Sequence, residues 1–104
     1  MVRHGIELDS PAIRDFCHRW KVTELTAFGS ILRDDFGPHS DLDFIIEWED
    51  DAPWDLCDYM DMVEELQQHF GRKVDLLSRF ALSQTSNYLL RRSVLSQTEP
   101  VYAI

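Results

Sequence analysis

The chain has 104 residues, room for one domain around one modest core and none for a second lobe. Its 44% apolar and 28% charged residues describe a folded globular protein and exclude a disordered or fibrous one. Nineteen acidic residues against ten basic ones give a formal charge of -9, so phosphate backbones are repelled and autonomous nucleic-acid binding is not expected. A basic protein partner, or an anion arriving with divalent metal, suits such a field.

The start, Met1 to Gly5, lacks the apolar stretch of a secretion signal, and no run approaches the ~20 residues of a membrane span; a cytoplasmic chain with no membrane contact is expected. Asp9-Ser10-Pro11 offers an N-cap followed by proline at the first helical position, and Ile13, Phe16, Cys17 and Trp20 recur at helical spacing. Val22 to Phe28 reads as a strand with Leu25 and Ala27 on one face, ended by Gly29-Ser30. Ser30 is expected to cap a short helix through Ile31, Leu32 and Arg33, before Gly37-Pro38 breaks the chain.

Asp41 to Trp48 is the next strand, with Leu42, Phe44, Ile46 and Trp48 on one face and Asp41, Asp43, Ile45 and Glu47 on the other. Glu47, Glu49, Asp50 and Asp51 read as a solvated acidic loop. A second helix is expected over Trp54 to Phe70, its apolar stripe made of Leu56, Tyr59, Met60, Val63, Leu66 and Phe70, with Gly71 as the stop. Lys73 to Leu77 reads as a strand carrying Asp75; a last helix falls between Phe80 and Leu95, and a terminal strand around Val101 to Ile104. This order describes an α/β (α+β) fold, a small mixed sheet of about four strands with helices packed on it, as one domain over residues 1–104.

Cys17 and Cys57 fall in the two amphipathic helices, where a free thiol acts as a small apolar side chain, so neither a disulfide nor a zinc site is expected. His4, His18, His39 and His69 lack ligand spacing and read as surface or capping residues. Trp20, Trp48 and Trp54 read as core or interface.

The chemistry lies in Phe28-Gly29-Ser30, ten further residues, then Asp41-Leu42-Asp43, with Asp75 on the following strand. Aspartates at i and i+2 of a strand share a face, ~7 Å apart along the backbone. Two carboxylates so close raise each other's pKa until a cation or proton relieves them. If the strand of Asp75 lies beside that of Asp43, three carboxylates suit one or two hard cations; without His or Cys the set points to Mg²⁺ rather than Zn²⁺. Gly29 admits a phosphate close to the backbone, Ser30 offers a hydroxyl beside unpaired N–H groups, and Arg33 is either a further phosphate contact or a surface partner of Asp34 or Asp35. Ser40, just before the aspartate pair, completes the nucleotide-binding candidates with Gly29, Ser30 and Arg33.

At these residues the chain resembles the DNA polymerase β-like nucleotidyltransferase superfamily, whose hallmark is Gly-Ser, ten residues, Asp-x-Asp. The stretches from Phe28 to Phe36 and from Ser40 to Trp48 resemble, more narrowly, the minimal nucleotidyltransferases, the MntA-like antitoxins encoded beside HEPN ribonuclease toxins. The likeness extends to Val74-Asp75-Leu76-Leu77 and to Tyr88 through Arg92; one departure is Arg33-Asp34-Asp35, where the family often has Arg-Gly-Asp. The resemblance implies that Asp41, Asp43 and Asp75 bind Mg²⁺, two ions in all, that Gly29 and Ser30 hold the triphosphate of ATP, and that AMP passes to a tyrosine of a cognate HEPN toxin held in a hetero-oligomer.

A chain of this length has no further domain to grip an acceptor, so the acceptor's own protein is expected to supply part of the site. A toxin that is basic near its RNA site would also be steered to an acidic transferase. Two alternatives stand beside this one: an antitoxin that inhibits by binding alone, and a transferase acting on a small molecule such as an aminoglycoside.

Overall fold

The computed structural model describes residues 2–84, 86, 92, 94 and 97–104. The first element is one the sequence pattern does not suggest: β1 (Val2–Arg3) and β2 (Ile6–Glu7) pair as an antiparallel hairpin. Its turn residues His4 and Gly5 both take positive φ, 52° and 78°, as a tight two-residue hairpin turn requires. Arg3 ties the hairpin to the far end of the chain through an ion pair with Glu99.

Helix α1 (Pro11–Arg19) starts where proline at its first position predicts, and Ile13, Phe16 and Cys17 turn inward. Ser10 holds the N-cap position, yet its side chain makes no cap hydrogen bond. Strand β3 (Val22–Phe28) matches its expected bounds and passes into a 3-10 turn over Gly29–Leu32. Strand β4 (Leu42–Trp48) begins one residue after the expected start, which leaves Asp41 just outside it.

Helix α2 (Leu56–Phe70) opens two residues later than expected, because Asp55 and Asp58 form a reciprocal capping box at 3.0 and 3.1 Å. Gly71 closes it in the left-handed region at φ 67°, donating to the Gln67 carbonyl at 2.8 Å. Then come β5 (Val74–Ser78), α3 (Arg79–Gln84) and β6 (Thr98–Ala103). Most of the expected last helix beyond Gln84, and most of the stretch from Tyr88 to Arg92, lie outside the described residues.

The sheet is mixed, as expected: order β5-β4-β3-β6, with β4 and β5 parallel and the other pairs antiparallel. Side-chain alternation divides it into two unlike faces. One carries Leu25, Ala27, Leu42, Phe44, Ile46, Val74 and Leu76, and joins Phe16, Met62 and Leu66 of α1 and α2 in one core cluster. Phe44 is fully buried and stacks on Phe70, so its truncation to Ala would cost ~3–5 kcal/mol. Trp54 lends the corner a polar tie, its indole N–H donating to the Trp20 carbonyl at 2.7 Å.

The opposite face carries Glu24, Thr26, Asp43, Ile45, Glu47 and Asp75 and is only partly covered. Arg79 of α3 reaches Glu24 at 3.0 Å and Glu47 at 3.6 Å, and Leu82 is buried there with Ile45. The end of that face holding Asp43 and Asp75 stays open.

Two expectations about α2 need correction. Leu56 and Met60, assigned to its apolar stripe, are 71% and 62% exposed, while Met62, left out of that stripe, enters the core beside Leu66. Cys57, expected to act as a small apolar side chain, is exposed; Cys17 is buried, and burial pushes its thiol up to about 12. Among the described residues no helix is long and apolar enough to cross a membrane.

Candidate active site

The site grows out of sheet register. Phe28 pairs with Asp43 across β3 and β4, and Asp43 pairs with Asp75 across parallel β4 and β5. Facing residues of adjacent strands point to the same side, so the two aspartates meet on the open face.

Directly after Phe28 the chain turns at Gly29, φ 75°, where a Cβ would sit 2.5 Å from Oδ2 of Asp43. Glycine is thus required twice over, by the backbone angle and by the carboxylate pressed against it. Ile31 anchors the turn in the core. The expected capping by Ser30 is replaced by another arrangement: its backbone N–H donates to the Asp43 carboxylate, and its Oγ donates to the Asp41 carbonyl at 3.1 Å. The turn that sequence reasoning reserves for phosphate therefore also positions both aspartates.

The electrostatics follow from this crowding. Asp43 is raised from an ordinary 3.8 to about 6, first by burial, then by the charge of Asp75 and the hydrogen bond shared with it, and then by Asp41. The Ser30 amide offsets part of that rise. A carboxylate held against another in partial burial is an under-compensated anion, and a hard cation is the group that best relieves it.

Asp41 is brought to the same corner without touching the pair, its Oδ2 3.9 Å from Nζ of Lys73. Among the described residues no three His, Cys, Asp or Glu side chains already converge on one point. The oxygen donors present fit Mg²⁺ nonetheless, because that ion normally completes its shell with substrate phosphate and water.

Arg33 and Ser40 sit at the border. Arg33 pairs with Asp35 at 3.4 Å across an exposed surface, which is one of the two roles its position allowed. Ser40 accepts from the Gly37 N–H at 3.0 Å through Oγ and closes the loop that leads into Asp41.

Sequence reasoning missed the residue that holds this loop. Arg72 donates to the carbonyls of Gly37 and Ser40 at 3.2 and 2.9 Å and lies over the Phe36 ring at 4.6 Å, with His4 stacked on the same phenylalanine. No motif marks it; a basic residue after a helix-ending glycine ordinarily reads as solvated. Tyr59 was missed as well. Its hydroxyl donates to the Leu76 carbonyl, and burial together with the charge of Asp75 raises its pKa.

A model of the nucleotidyltransferase domain matches residues 11–99. A Methanocaldococcus jannaschii protein, named as a candidate protein adenylyltransferase, is 30% identical over 61 residues, 59% of this chain and 61% of that protein, so the match spans under two thirds of that relative's length. Among solved structures, a chain of a toxin-antitoxin complex with AMP-PNP superposes with a TM-score of 0.67 at 20% identity, covering 88% of this chain and 71% of that one. A chain of the tri-AMPylated Shewanella oneidensis HEPN toxin in complex with MNT antitoxin gives 0.62 at 19% identity, covering 93% and 71%. This chain and those two share one fold.

Proposed function

The chain belongs to the nucleotidyltransferase domain family, and from that premise we propose that it is a Mg²⁺-dependent enzyme that transfers AMP from ATP to a tyrosine hydroxyl of a cognate HEPN-domain toxin and so acts as its antitoxin. The carrying observation is the register that sets Asp43 against Asp75 beside a glycine turn with no room for a side chain. The M. jannaschii relative named for protein adenylylation and the complex holding a tri-AMPylated HEPN toxin support the choice of reaction and partner.

In this reading Asp41, Asp43 and Asp75 hold one or two divalent cations, which when bound would neutralise the phosphates and make the acceptor hydroxyl more acidic. Gly29 lets the triphosphate approach the backbone, and the Ser30 amide, at present on Asp43, becomes available to phosphate once that carboxylate turns to metal. Arg33 is engaged by an exposed ion pair worth at most about 1 kcal/mol, so phosphate can recruit it cheaply. Ser40 contributes by shaping the loop into Asp41. The acceptor oxygen bonds to the α-phosphorus as the bond from that atom to the β-phosphate oxygen breaks. Asp75, the most exposed of the pair, takes the acceptor proton, and pyrophosphate leaves.

One minimal domain would act here in the cytoplasm, as a hetero-oligomer with the toxin. Incubating the protein with its cognate HEPN-domain toxin, Mg²⁺ and ATP should add ~329 Da to the toxin per AMP transferred. No added mass with any nucleotide would sink the reaction, and toxin neutralisation by Asp43→Ala at normal protein levels would leave inhibition by binding alone.

A further inference from the structure

The exposed side of α2 carries more apolar surface than a solvent-facing helix needs. Leu56 and Met60, one turn apart, are 71% and 62% exposed, and Phe80 on α3 is 75% exposed. Large apolar side chains exposed near one another mark binding sites more often than isolated ones do. These side chains border two hollows. One, of about 660 Å³, lies between the start of α2 and α3 and is lined by Leu56 and Phe80. The other, of about 610 Å³, lies between α2 and the edge of β5 and is lined by Met60, Val74 and Asp75.

Tyr59 lines both hollows, so they adjoin at that side chain, the second running along β5, the terminal strand of the sheet among the described residues. Asp75 at one end of this groove is a residue of the proposed active site.

We propose that the polypeptide bearing the acceptor hydroxyl docks in this groove, its apolar side chains on Leu56, Met60 and Phe80 and its basic side chains against the acidic rim. The proposal rests on the transfer reading and names the surface that brings the acceptor to it. The rim supplies the argument for charge: Glu47, Glu49 and Asp55 border the first hollow, and Asp61 and Glu64 the second. Each hollow also has one lining cation, and both are engaged: Arg79 in the first by Glu24 and Glu47, and Lys73 in the second by Asp41 at 3.9 Å. An amphipathic segment with Lys or Arg flanking apolar residues meets both demands. A second copy of this chain, with its formal charge of -9, would set like charge against like. A segment held on the rim passes over β5 and arrives beside Asp75, which lines the second hollow together with Met60.

The test is the triple variant Leu56→Ser, Met60→Ser, Phe80→Ser, titrated with the cognate HEPN-domain protein in the absence of nucleotide. Losing three docked apolar side chains should raise Kd, and the KM for that acceptor, about 50-fold, with kcat at saturating acceptor within about twofold of the wild type. The wild-type Kd should also rise with ionic strength, and Asp61→Lys with Glu64→Lys should slow association.

Wild-type affinity retained by the triple variant overturns the proposal, as does binding that is indifferent to salt. So does a wild-type dimer that the triple variant breaks, since a second copy would then occupy the groove. A fall of more than about 5 °C in the Tm of the isolated variant also overturns it, because the chain itself would then cover the stripe. Groove-dependent binding without any AMP transfer would leave the docking surface standing and remove the transferase reading. Transfer that ignores the triple variant would do the reverse.

Discussion

Replacing Asp43 with Asn should make the metal-free protein more stable while abolishing transfer. Asp43 rises from 3.8 to about 6 in the fold, so the folded state binds its proton more tightly than the unfolded chain does. A raised carboxylate pKa means stability is lost as pH climbs from 3.8 towards 6, and the full cost is carried above that window. About two pKa units correspond to ~3 kcal/mol at most. The neighbouring Asp75 is solvent-exposed, which screens the pair and brings the cost nearer ~1–1.5 kcal/mol.

Asn keeps an oxygen for the Ser30 amide and gains an NH₂ that can donate to Asp75, so its removal of charge leaves no new unsatisfied group. At pH 8, differential scanning calorimetry without divalent metal should place the variant ~6 °C above the wild type, and at pH 4 the gap should nearly close. Millimolar Mg²⁺ should raise the wild-type Tm at pH 8 and leave the variant unmoved. A variant equal to or less stable than wild type at pH 8 would refute the claim that burial and the charge of Asp75 disfavour ionised Asp43 in the fold.

Gly29→Ala should destabilise by ~2 kcal/mol or more and reduce transfer strongly, since the added Cβ meets Asp43 Oδ2 at 2.5 Å and φ is positive; Tm and mass-shift assays check it. Arg72→Ala should cost ~1–2 kcal/mol, lower kcat, and speed amide exchange across residues 33–41, with Arg72→Lys recovering only part, because the loop loses its two carbonyl bonds. Arg33→Ala should leave Tm within ~1 °C and raise the KM for ATP about tenfold if the arginine meets phosphate, and an unchanged KM would confine it to its ion pair with Asp35. Cys57 should react rapidly with a thiol reagent at pH 8, whereas Cys17, buried and pushed up to about 12, should react only on unfolding.

Much of this molecule was legible because strand periodicity and punctuation agree. Val22 to Phe28 is β-prone, with Leu25 and Ala27 on one face, and is stopped by Gly29, so β3 has the bounds its sequence suggests. The meeting of Asp43 and Asp75 followed from one further assumption, that their two strands are neighbours, and the parallel register supplies it.

What was not legible depends on partners distant in sequence. The hairpin at residues 2–7 has two-residue strands with no pattern of their own, and Arg3 is tied to Glu99. In α2 apolar residues occupy several sides, and periodicity alone cannot tell that Met62 enters the core while Leu56 and Met60 stay outside. Arg72 and the hydroxyl of Ser30 act on backbone carbonyls, and a carbonyl leaves no trace in a sequence.

The short connection Gly71-Arg72-Lys73 also acts as a gauge of chain length. Leu42 N–H donates to the Lys73 carbonyl at 3.0 Å and Val74 N–H to Gln67 Oε1 at 3.2 Å, which pins where β5 begins against β4. Because side chains alternate with a period of two, one residue inserted or deleted here would carry Asp75 through the sheet to the side occupied by α2, leaving Val74 or Leu76 facing Asp43. At these three positions a change of length is a change of chemistry.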